Sequence, residues 1–449
     1  ILEEMAEETD SISVIAVTAA VGAVMLLLML VCGIGRKSGS QQEEEEETKQ
    51  PQKNGPGRQN SNQQQSKKQR PAARSKKETK HTFSHPWLAG CLKGHSGPIT
   101  SFDFSPNSKY LVSVAEDRSV LLWTMKDFQK SEHKSVRGNV EFDHATRVKF
   151  SPDSKAFITS LGIDNTVRIF RFGKKEDGTV GNIQGTFDFP KKHKADIINI
   201  GIASNGRFIM TCSSDTTIIV WDIKGEILGT IDTHQMNNFY ASVSPCGRFV
   251  ASSGFTSDVK VWEVEFDKGG NFKDISRAFE LKGHTAGVYS FSFNSDSSRM
   301  ASVSKDGTWK LWDTFVEYKK QQDPHLLCTG SYSNNGPSLI ALSPDSRVIA
   351  IATGPNISVY NTQSKELTQA LQDVYAGNTR ELQFESSGKY FASAGDKQVH
   401  VFHNVDGYRA TIADLEQKLK STGNTSAKHR MQQQITDAQA ALNEILREK

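Results

Sequence analysis

The chain has 449 residues, with 54 Lys and Arg against 51 Asp and Glu, a net charge of +3 that conceals a strongly uneven distribution. Its five cysteines, Cys32, Cys91, Cys212, Cys246 and Cys328, are odd in number and scattered, which excludes a disulfide framework and a paired-cysteine metal or redox motif. HExxH, GxxxxGK(S/T) and GxSxG are all absent, so the zinc-protease, phosphate-loop and serine-hydrolase chemistries that those motifs carry find no support.

In chain order, the first predicted element is a membrane span. Residues 12–34 (ISVIAVTAAVGAVMLLLMLVCGI) run for 23 residues without a charge. As a helix they would extend about 34 Å, enough to cross a hydrocarbon core of about 30 Å with modest tilt. A cleaved signal peptide is the alternative. Against it, the preceding residues carry Glu3, Glu4, Glu7, Glu8 and Asp10 and no Lys or Arg, and the apolar run is longer than the usual signal core. Arg36 and Lys37 abut the other end, so the positive-inside rule places residues 1–11 in the lumen and everything after the span in the cytosol. With so short a lumenal tail and no legible sorting signal, the endoplasmic reticulum is the expected membrane. Sequons at Asn356 and Asn424 would be silent in the cytosol, and Met5 is a candidate initiator.

Residues 35–81 read as a disordered linker, acidic at Glu43 to Glu47 and then rich in Gln, Asn, Ser, Lys and Arg. From Thr48 to Lys80 ten Lys and Arg face one acid, Glu78, a local net charge of +9. As a coil this stretch would let the domain downstream of it wander on the order of 40 Å from the bilayer. The cluster Lys67, Lys68, Arg70, Arg74, Lys76, Lys77 and Lys80 has three readings. It is a solvated linker, a contact for anionic headgroups at roughly 1 kcal/mol per residue, or a nonspecific RNA contact through phosphates whose affinity falls with salt. No aromatic is interleaved with it, so base stacking is not indicated.

From about residue 82 to 405 the sequence repeats. Seven times, alternating residues run through a Ser/Asn-rich turn, a second alternating stretch and an Asp-containing turn, and end on an aromatic. The closing aromatics are Trp123, Phe170, Trp221, Trp262, Trp312, Tyr360 and Phe402, separated by 47, 51, 41, 50, 48 and 42 residues. The fifth copy opens on Gly283-His284 and closes in KDGTWKLWD at residues 305–313. His95, His193, His234 and His284 each precede a Trp by 28 residues, room for three short strands and two turns at about 3.3 Å per residue. A period in the forties with these marks is the signature of a β-propeller blade, so the fold class is all-β with seven blades.

The GH…WD marks resemble the WD-repeat family. That resemblance implies that His, a strand Ser or Thr, the turn Asp and the Trp hydrogen-bond in series within a blade. The complete sets are His95, Ser113, Asp117, Trp123; His193, Thr211, Asp215, Trp221; and His284, Ser302, Asp306, Trp312. The second copy keeps His144, Ser160 and Asp164 but ends on Phe170, which cannot donate; the fourth keeps His234, Asp258 and Trp262 with an altered Ser/Thr register. Copies six and seven lack the His, so packing is expected to hold them. His near Asp could also suggest a metal site or charge relay, but each His recurs at the same place in its own repeat and no nucleophile motif accompanies it, which favours a structural role. The resemblance further implies that the strand before the first GH, within HPWLAGCLKGH at 85–95, completes the last blade beside QVHVFH at 398–403.

After the propeller, residues 406–449 read as a helical hairpin. Ile412, Leu415 and Leu419 share one face; Met431, Ile435, Ala438, Leu442 and Ile445 share another, with STGNTS between them. Their stripes pack on the propeller or each other, or form a coiled-coil seam for a partner. No convergent set of catalytic groups, cofactor motif or metal spacing is found, so the expectation is a non-enzymatic binding scaffold with no small-molecule substrate; a propeller enzyme with ligands around its channel is the competing class.

The runs DHAT (143–146), FPKKHKA (189–195), SSDTT (213–217), SPCGRFVASSGFTSDVKVWEV (244–264), RAFELKGH (277–284) and MASVSKDGTWKLWD (300–313) narrow the resemblance to a membrane-anchored, transducin beta-like branch of the WD-repeat family. What that implies is association with the eIF2-alpha stress kinase of the endoplasmic reticulum membrane and with translation factors, in the unfolded-protein response and translational control. The alternative is an RNA- or ribosome-associated factor working through Lys67 to Lys80. Neither reading supplies partner-contact residues.

Overall fold

The computed structural model describes residues 82–130, 133–176 and 179–447. The apolar span at 12–34 and the basic cluster at 67–80 lie outside the described residues. Within them no helix is long and apolar enough to cross a membrane.

Seven four-stranded sheets make up the fold, with antiparallel pairing throughout. The three strands that the repeat marks in each copy are joined by a fourth, outer strand. In blade 5, for example, the strands are Val288–Phe293, Arg299–Ser304, Thr308–Asp313 and His325–Ser331. The innermost strands of blades 1 to 7 are Ile99–Phe104, Ala145–Phe150, Ile197–Ile202, Asn238–Val243, Val288–Phe293, Ser338–Leu342 and Glu381–Phe384. Each contacts the next, and the last contacts the first, so the ring closes.

Local chemistry explains the repetition. The turn between the first two strands of every blade holds one residue in the left-handed region: Ser108, Ser154, Gly206, Gly247, Ser297, Ser346 and Gly388, with φ between 56° and 74°. A polar side chain at the turn's start ties it, as when Ser244 accepts from the Phe249 N–H at 2.9 Å and Asn294 from the Arg299 N–H at 3.0 Å. These are the Ser/Asn-rich turns of the sequence, and they fix register because a one-residue slip would turn every core side chain outward. The core consists of apolar layers between adjacent sheets. Val261 of blade 4, for instance, packs in one cluster with Phe291 and Trp312 of blade 5.

Blade 7 joins both ends of the ring. Its outer strand, Leu88–Lys93, pairs antiparallel with Gln398–His403, and Phe83 packs its ring on His400 and Phe402. The chain then enters helix α1 (Val405–Ser421), earlier than the first periodic residue of the sequence, because the Asn404 side chain caps it by accepting the Gly407 N–H at 3.0 Å. Helix α2 (Thr425–Arg447) folds back on α1. Val405 and Ile445 belong to the same apolar cluster as Val348 and Phe391, so both helices pack on the propeller.

Candidate protein-docking face

The hydrogen-bond sets hold the loops of one face, and three blades assemble them around one bridging hydroxyl. In blade 5, Ser302 Oγ receives the indole N–H of Trp312 at 2.9 Å and pairs with His284 Nε2 at 2.9 Å, while His284 Nδ1 meets Asp306 Oδ2 at 2.9 Å. In blade 1, Ser113 Oγ lies 2.9 Å from Trp123 Nε1 and 2.7 Å from His95 Nε2, and His95 Nδ1 is 3.4 Å from Asp117. In blade 3, Thr211 Oγ1 receives Trp221 Nε1 at 2.8 Å and pairs with His193 Nε2 at 2.6 Å. There the chain of bonds ends, because His193 Nδ1 is buried with no partner and Asp215 instead accepts from the Thr217 N–H and hydroxyl.

Electrostatics follow the geometry. Burial lowers the imidazoles of His95, His193 and His284, against the pull of Asp117, Asp215 and Asp306. For Asp306, burial opposes ionisation, yet hydrogen bonds from Thr308, the Thr285 N–H and His284 win and bring its carboxyl down to about 2. Asp117 is depressed in the same way, with Ser119 and the Ser96 N–H overcoming burial. Each Asp is a turn anchor.

Blades 2 and 4 depart from the sequence-based sets. Ser160 does not pair with His144; its hydroxyl meets Thr146 Oγ1 at 2.8 Å. The neighbouring Asp143 takes the anchoring role. It is buried and accepts the N–H groups of Ile163 at 3.0 Å and Asp164 at 3.1 Å, which leaves Asp164 a donor through its backbone. Phe170, lacking a donor, stacks on Phe157 with ring centroids 5.4 Å apart. In blade 4 the His234 side chain is 76% exposed beside Asp232. Gln235 enters the blade instead: its Oε1 accepts the Ser252 hydroxyl at 2.7 Å and its Nε2 donates to the Ser252 and Asp258 carbonyls. Trp262 is buried, with the Arg277 guanidinium 5.0 Å over its ring.

Blade 7 adds a buried hydrogen bond to the packing expected to hold the last copies. Tyr375 is buried and its hydroxyl donates to the Ser393 carbonyl at 2.6 Å, with Ser393 Oγ at 2.8 Å. Asp396 anchors the turn by accepting the Ala376 N–H at 2.8 Å. Gly395 makes room, since a Cβ there would lie 2.6 Å from the Tyr375 ring. A signal for Tyr375 existed: it precedes Ser393 by 18 residues, the spacing of His95 to Ser113 and of His284 to Ser302. Blade 6 does rest on packing, with the fully buried Ala350 standing 10 residues before Tyr360, where other blades carry the bridging hydroxyl.

The departures expose apolar side chains on this face. Phe142, beside Asp143, is 88% exposed, and Met236, beside Gln235, is 68% exposed. Both sit in the left-handed region, with φ of 63° and 64°, a conformation that bulky residues adopt only when their surroundings impose it. Ile163 and Phe255, at the Asp-turn positions of the same two blades, are 62% and 56% exposed. Phe239 and Tyr289 join them, with rings 6.3 Å apart. A register shift at the start of each inner strand leaves Thr100, Thr146, Ile198, Phe239 and Tyr289 outside the pairing of blades 1 to 5, and such bulges re-aim side chains. The result is two groups of exposed apolar side chains on this face, Phe142 and Ile163 in blade 2 and Met236, Phe239 and Phe255 in blade 4 with the half-buried Tyr289 of blade 5 beside them. The exposed Lys191, Lys192 and Lys194 of blade 3 lie between the two, and together the groups form a broken apolar arc. The opposite side exposes Ile223, Ile227, Phe315, Leu326, Leu327 and Leu367, in the connections and at the outer-strand starts of blades 3, 5 and 6.

Charged side chains of the innermost strands pair between blades. Arg147 pairs with Glu381 at 3.1 Å and Lys149 with Asp103 at 2.9 Å, and Ser101 and Gln383 donate to the same two carboxylates. These bonds tie blades 7, 1 and 2 together and use each acid for a cation. Among the described residues no group of three His, Cys, Asp or Glu side chains is placed to hold a metal ion.

Seven four-stranded blades, a strand from upstream closing the last, and His–Ser–Trp or His–Thr–Trp bonding in three of them define a WD-repeat β-propeller. The family model "WD domain, G-beta repeat" matches residues 87–124, 133–171, 182–222 and 276–313; the repeats it passes over include those anchored by Gln235 and Tyr375. Transducin beta-like protein 2 of Mus musculus is 53% identical over 84% of this chain and 86% of its own length, and that of Homo sapiens 52% over 83% and 84%. Guanine nucleotide-binding protein subunit beta-1 of Nicotiana tabacum is 24% identical over 56% of this chain and 67% of its own. The chain belongs to the transducin beta-like protein 2 family.

Proposed function

We propose that this protein is a non-enzymatic scaffold, tethered to the endoplasmic reticulum membrane by residues 12–34, that receives a cytosolic protein partner on the apolar arc of Phe142, Ile163, Met236, Phe239, Phe255 and Tyr289. The observation that carries the reading is the gathering of exposed apolar side chains on one face, in blades whose hydrogen-bond sets have been rebuilt around Asp143 and Gln235. Exposed large apolar side chains gathered on one face and rimmed by polar loops mark an interaction site. By family resemblance the partner is the eIF2-alpha stress kinase of that membrane, and the setting is the unfolded-protein response and translational control. A tether confines the propeller near the cytosolic domains of other membrane proteins, so weak contacts gain effective concentration.

Proximity labelling in intact cells tests the reading, with the label at the C-terminus and a matched chain lacking residues 1–35. Kinase and translation components labelled by the anchored form alone are expected; lumenal proteins would overturn the orientation. The local charge of +9 between Thr48 and Lys80 favours a second reading, RNA or ribosome contact. Binding that persists unchanged into high salt, or after those lysines become Gln, excludes it.

A further inference from the structure

On the face opposite the apolar arc, a cleft of about 750 Å³ lies between the turns of blades 5 and 6 and helix α1. Four cations line it, Arg299, Arg347, Lys365 and Lys418, with three carboxylates, Asp296, Asp345 and Asp414. The carboxylates are already engaged. Arg347 holds Asp345 at 3.0 Å and Asp414 at 2.5 Å, Lys418 holds Asp414 at 2.9 Å, and Asp296 accepts the Ser298 N–H at 2.9 Å. Arg299 and Lys365 form no ion pair among the described residues, and both act on the Cys328 thiol in the cleft wall, opposing the rise that burial gives it.

The second observation is a stranded donor. Ser346 is 3% exposed, lines the cleft, and its hydroxyl has no hydrogen-bond partner. Its equivalents in other blades reach the adjacent blade: Ser108 donates to Glu385, Ser154 accepts the Asn107 N–H at 3.3 Å, and Ser297 accepts the Cys246 N–H at 3.0 Å. In each case the partner belongs to the preceding blade, and at blade 6 the preceding blade, blade 5, gives the Ser346 hydroxyl no such partner. A buried hydroxyl without a partner is costly, and here it faces the same space as two uncompensated cations.

We propose that this cleft is a binding site for a phosphate-class anion, held by charge-assisted bonds from Arg299 and Lys365 and by the Ser346 hydroxyl as donor. Three donors of this kind suit the oxygens of a phosphate monoester, and the cleft has room for a phosphorylated small molecule beyond a single phosphate. The site lies away from the apolar arc, so its fate is separable from that of the docking reading.

The test is titration calorimetry on the full chain at low ionic strength with inositol hexakisphosphate and, separately, inorganic phosphate. One site for inositol hexakisphosphate is expected, with affinity falling at least about tenfold in Arg299→Gln/Lys365→Gln and in Ser346→Ala. Lys365→Gln alone, in a surface turn, keeps the test valid if the double variant misfolds. Saturation by inorganic phosphate at the same site would identify the free ion as a sufficient ligand. Binding that is absent, that ignores these variants, or that disappears when Lys67 to Lys80 become Gln would overturn the proposal.

Discussion

Blades 4 and 5 are neighbours in the ring and solve one problem in two ways. Blade 5 places His284 between the Ser302 hydroxyl and Asp306, and its loop at 283–287 presents Thr285 to solvent beside the half-buried Ala286. Blade 4 turns His234 outward, seats Gln235 on Ser252, and in doing so lifts Met236 off the surface. Blade 2 repeats the lesson with Asp143 and Phe142. The repeat signature secures the disc, and the places where it is rewritten carry the exposed apolar side chains proposed as the docking surface. Local rules break where function asks something else of the residues.

The contrast breaks most severely at a bridging hydroxyl. Ser302→Ala should leave both His284 and Trp312 without their shared partner, costing about 2 kcal/mol or more at roughly 1–3 kcal/mol for each stranded buried group; urea denaturation of the propeller measures it. Tyr375→Phe should cost about 1 kcal/mol by removing one buried bond to Ser393. An unchanged midpoint for that variant would mean that Tyr375 merely fills space.

The acid response sharpens the same contrast. His95, His193 and His284 are held neutral below their ordinary value of 6.5, so the unfolded chain binds protons first. Stability should be full above about pH 6.5 and fall as pH drops through the folded values. Asp306, at about 2 against an ordinary 3.8, adds a second loss as pH falls from 3.8 towards 2. Thermal denaturation against pH reads both, and His284→Gln should soften the first decline. The smallest expected effect on stability is that of Met236→Gly, within about 1 kcal/mol, because glycine accepts the left-handed conformation; partner capture should nevertheless drop.

How much was legible in the sequence depended on periodicity. The seven copies come from spacing, whereas the strand that completes the last blade and the sets of blades 1, 3 and 5 come from the resemblance to the WD-repeat family, and the blade 3 set lacks its link from His193 to Asp215. Gln235 was hidden beside His234, whose spacing to Trp262 is that of the other blades; only the turn's backbone decides which of the two enters. Tyr375 could have been found by its 18-residue spacing once the donor was allowed to be a phenol. The apolar arc was not legible, because it is assembled from single loop residues that share no period.

The most direct measurement compares two multiple variants of the full, anchored chain by proximity labelling in cells. Phe142→Ser/Met236→Ser/Phe255→Ser alters the arc, and Ile223→Ser/Phe315→Ser alters the opposite face. The account predicts that the first loses labelled partners that the second retains, with both propellers folded. Equal labelling by the two, or loss confined to the second, would contradict it.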